Sequence, residues 1–248
     1  MPDITGYRAK FATIVPSTNT VVEHDFNRMR PPGITIHTGR MYIENPQMDS
    51  NTAFEDLLGQ IRTSIATAIR DVLTCQPDYL VMGMSAETFW GGVEGNTSFE
   101  ERVRQMSGGL GVSTGATACR DALNAYGAKR VAILSPYQPV ADENVTRFFS
   151  EAGFDVVGFT GLRCPTATSI AAVPEARCRD ELLGLDGPDV DALVQVGTNL
   201  SMVGLADAAE RWLGKPVIAI NAATLWHALR TNGFTDRVDG AGGLLRDH

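Results

Sequence analysis

The sequence predicts an α/β protein of two pseudo-symmetric lobes, each an open, mostly parallel sheet flanked by helices, with a site between the lobes. Three observations point there. Short runs rich in Val, Ile and Leu alternate with stretches of helical periodicity along the whole chain. Strands of that composition are buried on both faces, which calls for helices on each side of a parallel sheet. A weak internal repeat relates the halves: residues 9–16 resemble 128–136, each opening on Ala-Lys and running into a proline, and residues 78–85 resemble 191–198, each opening on an aspartate. The length, 248 residues, accommodates two lobes of about 120 residues each, within the usual domain range.

Each element has its own signal. Residues 11–15 form a short apolar run ended by Pro16, and residues 34–38 read as a second strand. Between 54 and 73, apolar side chains fall at Phe54, Leu57, Leu58, Ile61, Ile65, Ile69 and Val72, the three-and-four spacing of an amphipathic helix. A buried strand follows at 79–84. Ser98-Phe99-Glu100-Glu101 fits a capping box that opens a helix through Met106, with Gly108-Gly109 closing it. A helix over 117–126 stops at Gly127. The second half then predicts strands at 131–134, 155–159, 192–196 and 217–220, with helices at 144–152, 174–183, 205–213 and 223–230 between and after them. The lobes are expected to be residues 1–114 with 224–248, and residues 115–223, the boundary falling near Ser113-Thr114-Gly115.

Composition removes several function classes. The net charge is −8 and the longest basic grouping is Lys129-Arg130, so no surface suits a nucleic acid. No apolar run approaches the length needed to span a bilayer, and Met1-Pro2-Asp3-Ile4 lacks the basic and apolar parts of a secretory signal. The expectation is a soluble, cytoplasmic protein with no membrane or nucleic-acid partner, and a homo-oligomer is compatible with it. Cys75, Cys119, Cys164 and Cys178 contain no CxxC pair, and the four histidines match no metal-ligand spacing. Neither a dinucleotide-binding glycine pattern nor a phosphate-binding loop occurs. No metal and no cofactor are expected. His37 alternates within a strand and His227 follows Trp226 on a helix, so both read as structural.

In open parallel sheets, ligands bind beyond the carboxyl ends of the strands. Past the four matched ends lie Pro16-Ser17-Thr18-Asn19, Met84-Ser85-Ala86-Glu87-Thr88, Ser135-Pro136-Tyr137 and Gly197-Thr198-Asn199-Leu200-Ser201. They are rich in hydroxyls and amides and contain neither Lys nor Arg. Each also precedes an expected helix, whose free N–H groups favour an anion. Taken singly, each segment also reads as a helix cap or a turn. Together they suit a small carboxylate held by neutral donors. Glu87, beside Phe89 and Trp90, is placed for an acid/base role, with a solvated loop carboxylate as the competing reading.

These same segments resemble the aspartate/glutamate racemase superfamily, and within it the maleate isomerase and arylmalonate decarboxylase branch. The likeness is carried by residues 15–19 with Glu23, by 84–92, by 134–137 and by 196–200, and the closing Gly240-Ala241-Gly242-Gly243-Leu244-Leu245-Arg246 is similar to the branch's C-terminal segment. The resemblance implies two similar α/β lobes and a cofactor-free site gripping a small carboxylate through Asn19, Tyr137 and backbone amides of the second and fourth segments. It also implies where catalytic thiols belong, after the second or fourth of these strands, and those positions hold Met84 and Gly197. Neither can act as acid, base or nucleophile. None of the four cysteines replaces them by position.

The resulting expectation is a cofactor-independent enzyme acting on a small carboxylic or dicarboxylic acid without a thiol pair, with decarboxylation or hydrolysis favoured over racemisation. Glu87, Tyr137 and Ser85 are the candidate catalytic residues. Ser17, Asn19, Met84, Ser85, Ala86, Tyr137, Gly197, Thr198 and Asn199 are the candidate substrate contacts. The alternative is a non-catalytic carboxylate-binding or sensing protein of the same fold.

Overall fold

The computed structural model of the chain describes residues 3–48 and 50–248. Its strands segregate into two four-stranded parallel sheets. The first runs β2(Ile34–Met41), β1(Ala9–Pro16), β3(Tyr79–Met82), β4(Val112–Ser113), and the second β6(Asp155–Gly161), β5(Arg130–Ser135), β7(Ala192–Gln195), β8(Val217–Ala219). The strand order is the same in both sheets, as the internal repeat requires. Within each sheet the inner pair starts in matched register, Phe11 opposite Tyr79 and Val131 opposite Ala192. β3 and β7, at the centre, are buried at every position, whereas edge strand β6 is partly open to solvent along its length.

Helices α1(Val22–Met29), α2(Asn51–Val72), the one-turn α3(Ala86–Phe89), α4(Gly92–Met106) and α5(Gly115–Tyr126) belong to the first half of the chain. The second half adds α6(Pro139–Glu151), α7(Ala167–Ala171), α8(Glu175–Leu185), α9(Val203–Leu213), α10(Ile220–Thr231) and α11(Gly243–Asp247). α10 leaves the second sheet directly after β8 and packs against α1, α5, β3 and β4. Among the described residues, no helix is long and apolar enough to cross a membrane.

Several boundaries differ from the sequence reading. β2 runs to Met41 because its pairing with β1 continues to Pro16 opposite Met41. α6 begins at Pro139, whose fixed φ suits a first helical position. α10 begins at Ile220, with no breaker between strand and helix. The capping box at Ser98 lies in mid-helix, since α4 starts at Gly92. There the caps are tertiary: α6 supplies Asn144 Oδ1 to Gly91 N at 2.9 Å and Glu151 Oε2 to Val93 N at 2.9 Å. The two-residue β4 and the short α7 and α11 carry too little periodicity to be read from sequence.

Candidate active site

The turns that follow β1, β3, β5 and β7 meet between the sheets and line a half-open cavity. One wall is polar and made of strand ends: Asn19, Ser85, Tyr137, Thr198 and Asn199, with the Met84 side chain and Ala86 beside them. The opposite wall is apolar. Ile43 and Met48 follow β2, Phe54, Leu57 and Ile61 come from α2, and Ala167 and Ile170 from α7. Backbone bonds close this side: Met48 N donates to Pro165 O at 2.6 Å, and Gln47 pairs antiparallel with Thr166.

Ser85 is the junction of the polar wall. Its hydroxyl is hydrogen-bonded to the Tyr137 hydroxyl and accepts from Thr198 N at 3.2 Å, so one first-sheet side chain ties two second-sheet turns together. Tyr137 is held rigidly. Its ring meets Phe54 edge-on at 5.6 Å, its N–H donates to Ser135 Oγ at 3.1 Å, and its carbonyl accepts from Arg163 Nη1 at 2.6 Å. Arg163 is in turn paired with buried Asp142. Burial pushes the Tyr137 phenol well above its usual range, so it stays a neutral donor.

Thr198 is fixed at three atoms. Its N–H reaches Ser85, its Oγ1 accepts from Asn19 Nδ2 at 3.4 Å, and its carbonyl accepts from Asn221 Nδ2 at 3.0 Å. Asn221, on α10, also donates to Asp25 Oδ2 at 2.7 Å. Burial pushes the Asp25 carboxyl up from its ordinary value. Asn19 Oδ1 accepts from Val21 N and Val22 N, both at 3.0 Å, so this residue starts α1 while its amide faces the cavity. The cap and the site share one side chain.

Three expectations need correction. Ser17 does not line the cavity, because its hydroxyl accepts from Ile43 N at 3.1 Å and pins the segment after β2. Gly197 lies behind the wall against Pro136. A Cβ there would fall on the proline ring, 2.7 Å from Cδ and nearer still to Cγ. Pro136 cannot yield, since its carbonyl accepts from Cys164 N at 3.0 Å. Glu87 is neither in an apolar setting nor solvated. It is 4% exposed, its Oε1 accepts from Arg62 Nε at 2.8 Å, and Arg102 Nη2 lies 3.8 Å from the same oxygen. Its Oε2 is buried without a hydrogen-bond partner.

Arg62 and Arg102 escaped the sequence reading because neither lies at a strand end. They arrive on the sides of α2 and α4, and only the fold brings them to Glu87. The apolar wall was missed for the same reason, although Ile61, one residue before Arg62, belongs to the periodic face of α2. His37 and His227 are away from the cavity. His37 Nε2 bonds Thr35 Oγ1 at 2.9 Å, and His227 bridges Ser113 Oγ at 2.7 Å and Asp121 Oδ2 at 3.3 Å. Ser113 is wholly buried, so this Ser–His–Asp alignment has no room for a substrate.

Two parallel sheets of like order, facing each other across a cavity lined by hydroxyl, amide and apolar side chains, define an α/β protein of two similar halves. The chain belongs to the arylmalonate decarboxylase family, whose model matches residues 14–245. It sits in the branch that holds maleate isomerases and arylmalonate decarboxylases. A maleate isomerase of Pseudomonas putida is 28% identical over 251 residues, covering 95% of this chain and 96% of that protein. An arylmalonate decarboxylase of Bordetella bronchiseptica is 28% identical over 155 residues, covering 62% and 64%. Among solved structures, a Nocardia farcinica maleate cis-trans isomerase with a covalently bound succinylcysteine intermediate superposes with a TM-score of 0.86 at 24% identity, covering 97% and 99%. In the present chain no cysteine lines the cavity among the described residues. Cys119, Cys164 and Cys178 are buried elsewhere and Cys75 is half-buried.

Proposed function

We propose that this chain is a cofactor-independent enzyme acting on a small carboxylic or dicarboxylic acid, and that its chemistry uses no thiol. The observation that carries the reading is the junction of Ser85 with Tyr137 and Thr198, a cluster of neutral hydroxyl and amide groups lining a cavity whose wall also carries the Glu87 carboxylate. Donors of this kind stabilise charge that develops on a carboxylate oxygen, typically by about 3–4 kcal/mol for a well-placed one. In a decarboxylation of a dicarboxylic acid the C–C bond to one carboxylate breaks and CO2 leaves, the electron pair passes into the retained carboxylate as an enediolate, and a proton is then delivered to carbon. In a hydrolysis the attacking water gives up a proton as its oxygen bonds the carbonyl carbon, and the leaving group departs with a proton as its bond to that carbon breaks. One proton carrier suffices for either, and Glu87 is the carboxylate at the cavity wall among the described residues. Racemisation needs an acid and a base on opposite faces, which one carboxylate does not supply. The apolar wall of α2 and α7 fits a hydrocarbon substituent on the acid.

A non-catalytic binder is the second reading, favoured by the engagement of Glu87 with Arg62. A thermal-shift screen of mono- and dicarboxylic acids, followed by proton NMR of each stabilising acid, separates the two. Any ligand that binds only the native state raises stability by RT ln(1 + [L]/Kd). A stabilising acid that yields product supports the enzyme. Stabilisation without product from any acid supports the binder, and no stabilisation by any acid overturns both.

A further inference from the structure

We infer that the open pocket on the far side of Glu87, formed by Arg62, Trp90, Ser98 and Arg102, binds a small oxyanion, and that this anion competes with Glu87 for Arg62. The pocket is separate from the cavity, and Glu87 belongs to the walls of both. Two guanidiniums converge there on one carboxylate oxygen, at 2.8 and 3.8 Å. The cluster therefore keeps one positive charge in excess, on a protein whose net charge is −8. Glu87 is the only acid among the described residues that line the pocket; along α4, Arg104 is shared by Glu100 at 3.5 Å and Glu101 at 3.9 Å, and Arg147 of α6 pairs with Glu151 at 2.6 Å.

Exposure points the same way. Arg62 and Arg102 are 48% and 52% exposed, while their shared carboxylate is 4% exposed. An anion arriving from solvent meets the guanidiniums before it meets the carboxylate. Guanidiniums present a planar fork suited to oxyanions, and hydrogen bonds between charged groups are about twice as strong as neutral ones. The pocket is also kept open by its backbone. A Cβ at Gly95 would overlap the Trp90 carbonyl, so glycine is required for the close approach that brings the Trp90 turn against α4, and Gly91 and Gly95 leave the floor bare. The Arg62 guanidinium stands 5.9 Å from the Trp90 ring centroid, near enough for that indole to report a change at Arg62.

The consequence is coupling between the two spaces. An oxyanion that takes Arg62 releases Glu87 Oε1, and the freed carboxylate already forms part of the inner cavity wall. Occupancy of the outer pocket thus sets how strongly Glu87 is held away from a ligand inside.

The test is titration of the full chain with sodium sulfate at constant ionic strength, read by tryptophan fluorescence and by calorimetry. Saturable binding is expected. Arg102→Ala, with its fold checked by circular dichroism, should weaken it about tenfold, the scale of one charge-assisted hydrogen bond. Arg102→Lys should lose less. Trp90→Phe should remove the fluorescence change and keep the heat. Glu87→Gln should tighten binding, because the competitor is gone, while Asp189→Asn, which removes the same charge on the other half of the chain, should not. Absence of saturable binding, an Arg102→Ala affinity equal to the wild type, or a Glu87→Gln effect no larger than that of Asp189→Asn would overturn the inference. All of these readouts are independent of any enzymatic activity.

Discussion

The turns after β3 and after β7 occupy equivalent places in the two sheets, yet they are built differently. The β3 turn is made of side chains: Met84 faces the cavity, Ser85 bridges to the second sheet, and Glu87 joins Arg62 at the rim. The β7 turn adds backbone to its Thr198 and Asn199 side chains. Gly197 is closed against Pro136, and Thr198 offers its N–H and carbonyl to Ser85 and Asn221. The repeat therefore preserves the scaffold while the two turns differ in what they present to the cavity. The two positions where the family resemblance implies thiols differ in the same way. Position 84 has room for a side chain in the cavity, and position 197 has room for none.

The largest expected effect tests whether the β3 turn carries the chemistry. Glu87→Gln keeps the size of the side chain and removes its titrating group, so kcat for a substrate acid should fall by about 10²- to 10⁴-fold with little change in the substrate Kd. Turnover near the wild-type value would remove Glu87 from the mechanism and leave a water held by Ser85, Thr198 or Tyr137.

The next contrast exchanges the two positions. Gly197→Cys should destabilise the fold by about 1–3 kcal/mol, the usual cost of overpacking a tight site, as read by urea unfolding. Met84→Cys removes volume beside a cavity and forces no overlap, and should cost less than Gly197→Cys. Equal costs would break the distinction between the two turns.

Tyr137 and Asn19 sharpen it further. Tyr137→Phe removes the hydroxyl that meets both Ser85 and, at 3.4 Å, the Val196 carbonyl. Ligand affinity should drop by about 1–3 kcal/mol with the fold kept. Asn19→Ala should show a comparable loss of affinity and, unlike Tyr137→Phe, an additional loss of about 0.5–2 kcal/mol of stability, because it also removes the α1 cap. Calorimetric titration and thermal melts of both variants separate the two roles.

The smallest effect concerns the support behind the β7 turn. Asp25 holds Asn221, which holds Thr198, and burial pushes the Asp25 carboxyl up. The native state then binds this proton more tightly than the unfolded chain does. Its contribution lowers stability as pH rises from the ordinary aspartate range through the raised native value, and stability stays lower above it. Asp25→Asn keeps an oxygen for Asn221 and cannot ionise. Its Tm should exceed that of the wild type at neutral pH, and the difference should shrink on acidification below the ordinary aspartate range. A variant less stable than the wild type at neutral pH would show that the charged form is the one the fold uses.

Much of this was legible in the sequence, for identifiable reasons. Val, Ile and Leu runs ending at Pro16 and Pro136 mark central strands because those strands are buried on both faces. The strand-end hydroxyls and amides at Asn19, Ser85, Tyr137 and Thr198 were legible because topology alone places the ends of parallel strands together. What escaped depends on the third dimension. Arg62 sits on a helix far along the chain from Glu87, and nothing local announces their meeting. Ser17 looked like part of the grip because a hydroxyl beyond a strand does not declare its partner, here Ile43. The start of α4 was misplaced because its caps come from Asn144 and Glu151 on α6, so the local capping box at Ser98 was the stronger signal in one dimension.

The central claim is that a member of this family works with no thiol at the junction of its sheets. The most direct measurement compares kcat/KM of the wild type with that of a variant carrying Cys75→Ser, Cys119→Ala, Cys164→Ala and Cys178→Ala together, on an acid that the wild type turns over, with thermal melts confirming that both are folded. The predicted result is activity within about tenfold, less than about 1.4 kcal/mol in the barrier. A folded variant whose turnover is abolished, with activity restored by returning a single cysteine, would contradict it.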